Sequence, residues 1–227
     1  MATSLENGLV LGLLGTGKIG SAVMSGYCTP VADKSTWVPK HIFVSPRGTE
    51  KAKALHARFP NHVTIASSNQ AVIDHSNIIF ISLLPDVARQ ELPLLNFPQH
   101  VTIVSMMATI PYQELLDLLR LPRSQVVRTI PLPSSSRRTG PILAYPPHPL
   151  VRELLQQIGT PVMVNEESEV TTLVRPDRET RSRSLILASE DWDDGHDQFL
   201  LCHVWHVATM VCPKRRRYVQ PPCSRRD

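Results

Sequence analysis

Cysteine is scarce and badly placed for structural use. The four cysteines are Cys28, Cys202, Cys212 and Cys223, and no two form a CxxC pair. Cys28 stands alone in the first three quarters of the chain, which excludes a disulfide framework there and points to a reducing compartment. In the tail, Cys202, His203, His206, Cys212 and Cys223 fit no common zinc spacing, so no metal is expected. Long apolar runs are missing as well. Leu9 to Leu14 is too short for a membrane span or a signal h-region, and Met1 to Gly8 has no basic cluster. No membrane partner is expected, and the protein is read as cytoplasmic. Aromatic residues make up only 5% of the chain, but 42% hydrophobic and 19% charged residues are the shares of an ordinary folded domain. A net charge of +4 with a pI near 9.0 is too mild to imply nucleic-acid binding. The cluster Lys214 to Arg217 is read as a solvated basic tail, and no nucleic-acid partner is expected.

What the chain does have is an alternation of short apolar runs and helical stretches. A length of 227 residues suits one domain of about 150–170 residues and an appendage. Leu9–Leu14, His41–Ser45, Val63–Ala66, Ile78–Leu83, Val101–Met106, Gln125–Thr129, Ile142–Ala144 and Val162–Val164 read as strands. The runs at Leu9 and Ile78 are continuous, as in strands buried on both faces of a parallel sheet. Helices are expected between them: Lys18–Tyr27, Thr49–Phe59 with Thr49 as N-cap, Ser67–His75, Asp86–Leu95 disturbed by Pro93, Pro111–Leu119 and Leu150–Ile158. This is the pattern of a doubly wound, mostly parallel α/β sheet. It covers residues 8–173. From 174 to 227 the apolar periodicity stops, and a divergent, poorly ordered or partly helical tail is expected.

The strongest chemical signal is Gly15-Thr16-Gly17-Lys18-Ile19-Gly20. It follows a buried strand and opens a helix, the context that makes GxGxxG a dinucleotide-binding turn of Rossmann type. Gly15 suits the tight turn, Gly17 a close backbone approach to pyrophosphate, and Gly20 close helix–strand packing. The helix N-terminus then faces the phosphates with free N–H groups. At the end of the second strand, where sheets that prefer NAD place a carboxylate, the chain has Ser45 and Arg47. A hydroxyl and a guanidinium suit a 2′-phosphate, so NADPH (NADP) is the expected cofactor. Leu83, Leu84 and Pro85, and Ala108 beyond the next strand, are placed at the same sheet edge. The segment Arg128 to Ser136 is a further strand end whose two prolines would stiffen a substrate-pocket floor. No general acid or base is assigned, so the catalytic residues stay unknown.

Taken together, Gly12-Leu13-Leu14-Gly15-Thr16-Gly17-Lys18-Ile19-Gly20, Val44-Ser45-Pro46-Arg47, Glu50-Lys51-Ala52, Val127-Arg128-Thr129-Ile130-Pro131, Ile158-Gly159 and Glu166-Glu167 resemble pyrroline-5-carboxylate reductase. The resemblance runs over roughly residues 8 to 173 and rests on order and spacing. It implies an NAD(P)H-dependent oxidoreductase that reduces a cyclic imine, pyrroline-5-carboxylate, to proline, as in proline biosynthesis. The small-molecule partner would be that imine. The chain departs from the family in carrying Leu132 where Asn is usual and Leu84 where Lys or a similar polar residue is usual. After Thr171-Thr172-Leu173 the family continues into a helical substrate and dimerisation domain, which residues 174–227 do not resemble. Impaired catalysis and no family-type intertwined homodimer are therefore expected. Two alternatives stand beside the reductase: an NADPH-binding module without turnover, and a related dehydrogenase acting on a hydroxy acid.

Overall fold

The computed structural model describes residue 5, residues 8–29 and residues 37–174. The expected tail lies outside the described residues from 175 onward. The eight expected strands form one sheet: β1 (Val10–Leu14), β2 (His41–Val44), β3 (Val63–Ile65), β4 (Ile78–Ile81), β5 (Thr102–Ser105), β6 (Val126–Ile130), β7 (Pro141–Tyr145) and β8 (Thr160–Met163). Their spatial order is β3-β2-β1-β4-β5-β6-β7-β8. The first six are parallel, β7 is antiparallel to β6, and β8 is parallel to β7. The reversal at β7 has a simple cause. Only residues 131–140 join β6 to β7, and a parallel crossover needs a dozen residues or more. That stretch instead makes a 3₁₀ helix, Pro133–Arg137, and turns back through left-handed Arg138 and Gly140.

The helices are α1 (Lys18–Cys28), α2 (Thr49–Arg58), α3 (Asn69–Asp74), α4 (Pro85–Glu91), α5 (Tyr112–Leu119), α6 (Pro149–Gln156) and α7 (Glu167–Val174). Two expected details shift. The N-cap of α2 is Gly48, at φ 80°, with Thr49 as the first helical residue. The stretch after Asp86 splits into α4 and a 3₁₀ turn, Leu92–Leu94, because Pro93 cannot donate to an α ladder. Among the described residues, no helix is long and apolar enough to cross a membrane.

The sheet separates two apolar layers. Along β4, Ile78 and Phe80 face the layer of α1, α2 and α6, while Ile79 and Ile81 face that of α3, α4 and α5. All four are buried, which explains why this run shows no polar alternation. Each such side chain contributes about 1.5–3 kcal/mol on burial. The rows also carry a stagger. Ile81, Ser105, Arg128 and Tyr145 lie side by side across β4, β5, β6 and β7. Beyond that row β6 continues through Thr129 and Ile130, paired with Ala144 and Leu143 of β7, which pair in turn with Met163 and Val162 of β8.

The 3₁₀ segment Pro133–Arg137 packs on α1 rather than facing an open pocket. A Cβ on Gly26 would lie 2.1 Å from the Ser135 carbonyl oxygen. Arg138 closes the same junction, its Nε donating to the Gly26 carbonyl at 2.7 Å and its Nη2 to that of Tyr27 at 3.2 Å. Gly26→Ala should therefore destabilise despite the better helix propensity of Ala, by about 2–3 kcal/mol. The expected thermal shift is a fall of roughly 5–10 °C, read by circular dichroism. An unchanged melting temperature would show that the junction is loose.

His148 caps α6, its ring Nδ1 accepting the Val151 N–H at 3.4 Å, which only the neutral ring can do. Burial lowers its pKa below the ordinary 6.5, against a smaller raising effect of a hydrogen bond with Ser124. The unfolded chain therefore takes up this proton first as pH falls. The contribution is intact above about 6.5 and is lost as pH drops below it toward the folded value. His148→Asn keeps a capping acceptor and should flatten the acid side of the stability profile, measured as denaturant midpoints at pH 8 and pH 5.5.

Candidate functional site

The chain winds outward from β1 through β2 to β3, then restarts at β4 and winds the other way. The carboxyl ends of β1 and β4 thus meet at the topological switch point, where open α/β sheets form their ligand crevice. Gly15 turns the chain there at φ 93°. A Cβ on it would lie 2.4 Å from the Ser82 carbonyl oxygen, so neither the conformation nor the space allows a side chain. Gly20, one turn into α1, sits so close to the loop that a Cβ would be 2.7 Å from the Gly15 carbonyl oxygen. Gly17 differs from both. Its backbone is extended, at φ −71° and ψ −177°. A Cβ there would find nothing nearer than Ser82, whose carbonyl oxygen is 3.9 Å away. Internal packing explains the first and third glycines and leaves the second unexplained.

Gly17 is also the N-cap of α1. It supplies no side-chain acceptor, and no acidic residue occupies the first turn. The helix therefore presents uncompensated N–H groups and its positive dipole end at the loop. Ile19 packs on the core, and Lys18 lines a groove of about 460 Å³ with Lys51 and Arg58.

The segment after β2 is tied directly to this loop. The buried Thr16 hydroxyl donates to the carbonyls of Arg47, at 3.1 Å, and Gly48, at 3.4 Å. Ser45 lies one layer further back than its sequence position suggested. It is 1% exposed, and its hydroxyl donates to Asn69 Oδ1 at 2.7 Å. The half-buried Asn69, first residue of α3, is thus brought to the same edge. Its only signal in the chain is a polar run at a helix start. Arg47 is the outward group, its side chain 67% exposed, with Nη1 2.5 Å from Glu91 Oε1 at the end of α4.

Across the switch point, Leu83 is half-buried, Leu84 is 74% exposed as the N-cap of α4, and Pro85 is its first residue. Leucine has no acceptor, so this helix start is also uncapped by a side chain. Ala108 follows β5, and its carbonyl accepts from Arg128 Nη2. The Arg128 side chain is 4% exposed, and its Nη1 lies 2.7 Å from Glu167 Oε1. The same carboxylate oxygen accepts the Tyr112 N–H at 2.7 Å. Burial pulls the Arg128 pKa down and Glu167 pushes it back. Arg128, expected in a pocket floor, therefore clamps the loop holding Ala108 onto β6 and α7. Among the described residues no group of three or more His, Cys, Asp or Glu side chains could hold a metal ion.

Residues 10–109 match the family described as NADP oxidoreductase, coenzyme F420-dependent. No curated protein matches the chain. Among solved structures, 1-pyrroline-5-carboxylate reductase from Streptococcus pyogenes aligns with a TM-score of 0.61 at 18% identity, covering 95% of this chain and 83% of that one. Pyrroline carboxylate reductase from Plasmodium falciparum, solved with NADP bound, aligns with a TM-score of 0.58 at 16% identity, covering 94% and 80%. A reductive aminase from Aspergillus terreus, in complex with NADPH and ethyl levulinate, gives 0.53 at 18%, covering 73% and 58%. At these identities the likeness establishes a shared fold.

The Arg128 clamp yields a stability test. Removing one member of a buried pair typically costs about 3–5 kcal/mol. Glu167 is 31% exposed, so water can take part of its place. Glu167→Ala should therefore destabilise by about 2–3 kcal/mol. Amide exchange should also rise at Tyr112, whose N–H loses its acceptor. A loss within about 0.5 kcal/mol, the range of ordinary surface substitutions, would mean that the clamp is not holding the loop.

Proposed function

We propose that residues 8–173 bind NADPH along the carboxyl ends of β2, β1, β4 and β5 and serve the reduction of a cyclic imine of the pyrroline-5-carboxylate kind. The observation that carries this reading is Gly17. It is a glycine that internal packing does not require, at an uncapped helix N-terminus where a Cβ would only touch Ser82 at ordinary contact distance. The residues present fit the cofactor. The Gly17 backbone and the first N–H groups of α1 would receive the pyrophosphate. Arg47 is the exposed cation beside the adenosine end, and the end of β2 carries Ser45 where a ribose-binding carboxylate would stand. The exposed Leu84 offers an apolar wall at the mouth of the crevice, and Ala108 marks its far end. When bound, NADPH supplies the hydride for the imine carbon, while the protein orients both partners.

Two further observations favour weak turnover by the chain alone. Leu132, where the resembling family usually presents a carboxamide, is buried. Leu84 replaces the family's usual polar side chain. Neither side chain can hydrogen-bond to an imine substrate. We therefore assign cofactor binding to residues 8–173, with reduction slow unless another surface completes the pocket.

Fluorescence titration and NADPH oxidation with pyrroline-5-carboxylate test both parts. NADPH should bind. Arg47→Ala should weaken it about ten- to a hundredfold, as expected for a charge-assisted hydrogen bond of roughly 1.5–3 kcal/mol, and barely change NADH. Gly17→Val should abolish binding while leaving the fold intact. Turnover should fall well below about 1 per second, the lower end of the usual enzyme range. Equal losses for both cofactors on Arg47→Ala would remove the 2′-phosphate assignment, and ordinary turnover would remove the inference of an incomplete pocket.

A further inference from the structure

The Arg47–Glu91 ion pair joins segments on opposite sides of the nucleotide crevice. Arg47 follows β2 and Glu91 ends the helix that follows β4, and these two strands flank β1. The guanidinium that would meet a 2′-phosphate is therefore already held by a carboxylate, at 2.5 Å. The two partners differ in exposure. The Arg47 backbone is fastened to the glycine loop through Thr16. Its side chain is 67% exposed to solvent, whereas Glu91 is only 23% exposed and sits in the helix. An arriving phosphate dianion would compete with one carboxylate for one guanidinium, at a site open enough for either to win.

We propose that Glu91 is a specificity-determining residue. It occupies Arg47 in the free protein, releases it to the 2′-phosphate, and so sets how strongly NADPH is preferred over NADH. This rests on the NADPH reading above. The exchange costs NADPH the strength of the ion pair and costs NADH nothing, because NADH has no group to claim Arg47. Glu91 therefore lowers the selectivity that Arg47 alone would give.

The test is a double-mutant cycle on the full chain, with Kd for NADPH and NADH read by fluorescence for the wild type, Glu91→Gln, Arg47→Ala and the double variant. Glu91→Gln should tighten NADPH about two- to fivefold, the range an exposed ion pair supports, and leave NADH unchanged. In the Arg47→Ala background the same change should do nothing. If Glu91→Gln leaves NADPH unchanged while the wild type binds it, Glu91 does not compete and the proposal falls with the NADPH reading intact. Weaker NADPH binding would also overturn it, by showing that Glu91 orients Arg47 for the phosphate. If the wild type binds no NADPH, both readings fail together.

Discussion

The close approach of the Gly15 turn to the Ser82 carbonyl is the contact on which the crevice depends. It brings the ends of β1 and β4 together where the winding of the sheet changes direction. Any side chain at Gly15 would push these two strand ends apart. Their separation would carry α1 away from α4 and widen the gap that both helix N-termini border. Gly20 enforces the same closeness from the helix side, against the Gly15 carbonyl. The shape of the crevice at this point is thus set by backbone packed closely on backbone, which deforms little.

From that junction the site is built outward by polar ties of unequal strength. Thr16 fastens the segment after β2 through two carbonyls. Arg128 fastens the loop after β5 through a carbonyl and a carboxylate, deep enough that its own charge is held against the cost of burial. Between these anchored loops lie the exposed side chains, Arg47 and Leu84. The backbone of these loops is tied down by buried groups, while the side chains of Arg47 and Leu84 reach solvent.

Most of the fold was legible because its signals are local. Continuous apolar runs marked the strands buried on both faces, and glycine spacing after the first of them marked the turn and the helix start. What could not be read was set by distance in space. Ser45 stands at the expected strand end, but its side chain alternates toward α3 and meets Asn69, a partner 24 residues away. Arg128 stands in a stretch that looked like a pocket edge, and its role appears only when β6, the Ala108 loop and Glu167 converge. The same holds for Glu91, which meets Arg47 from 44 residues away. The turn back into β7 was in principle readable from the shortness of residues 131–140.

The stagger of the sheet has a chemical consequence at the Ala108 end. Past the row of Ile81, Ser105, Arg128 and Tyr145, β6 runs two residues further, about 6–7 Å, together with its neighbours in β7 and β8. These strands stand above the ends of β4 and β5 as a parapet. On its inner side Ile130, Leu143, Val164 and Val170 cluster with Val162 and Ala108. A reactive group brought to Ala108 would thus have hydrocarbon on one flank instead of bulk water.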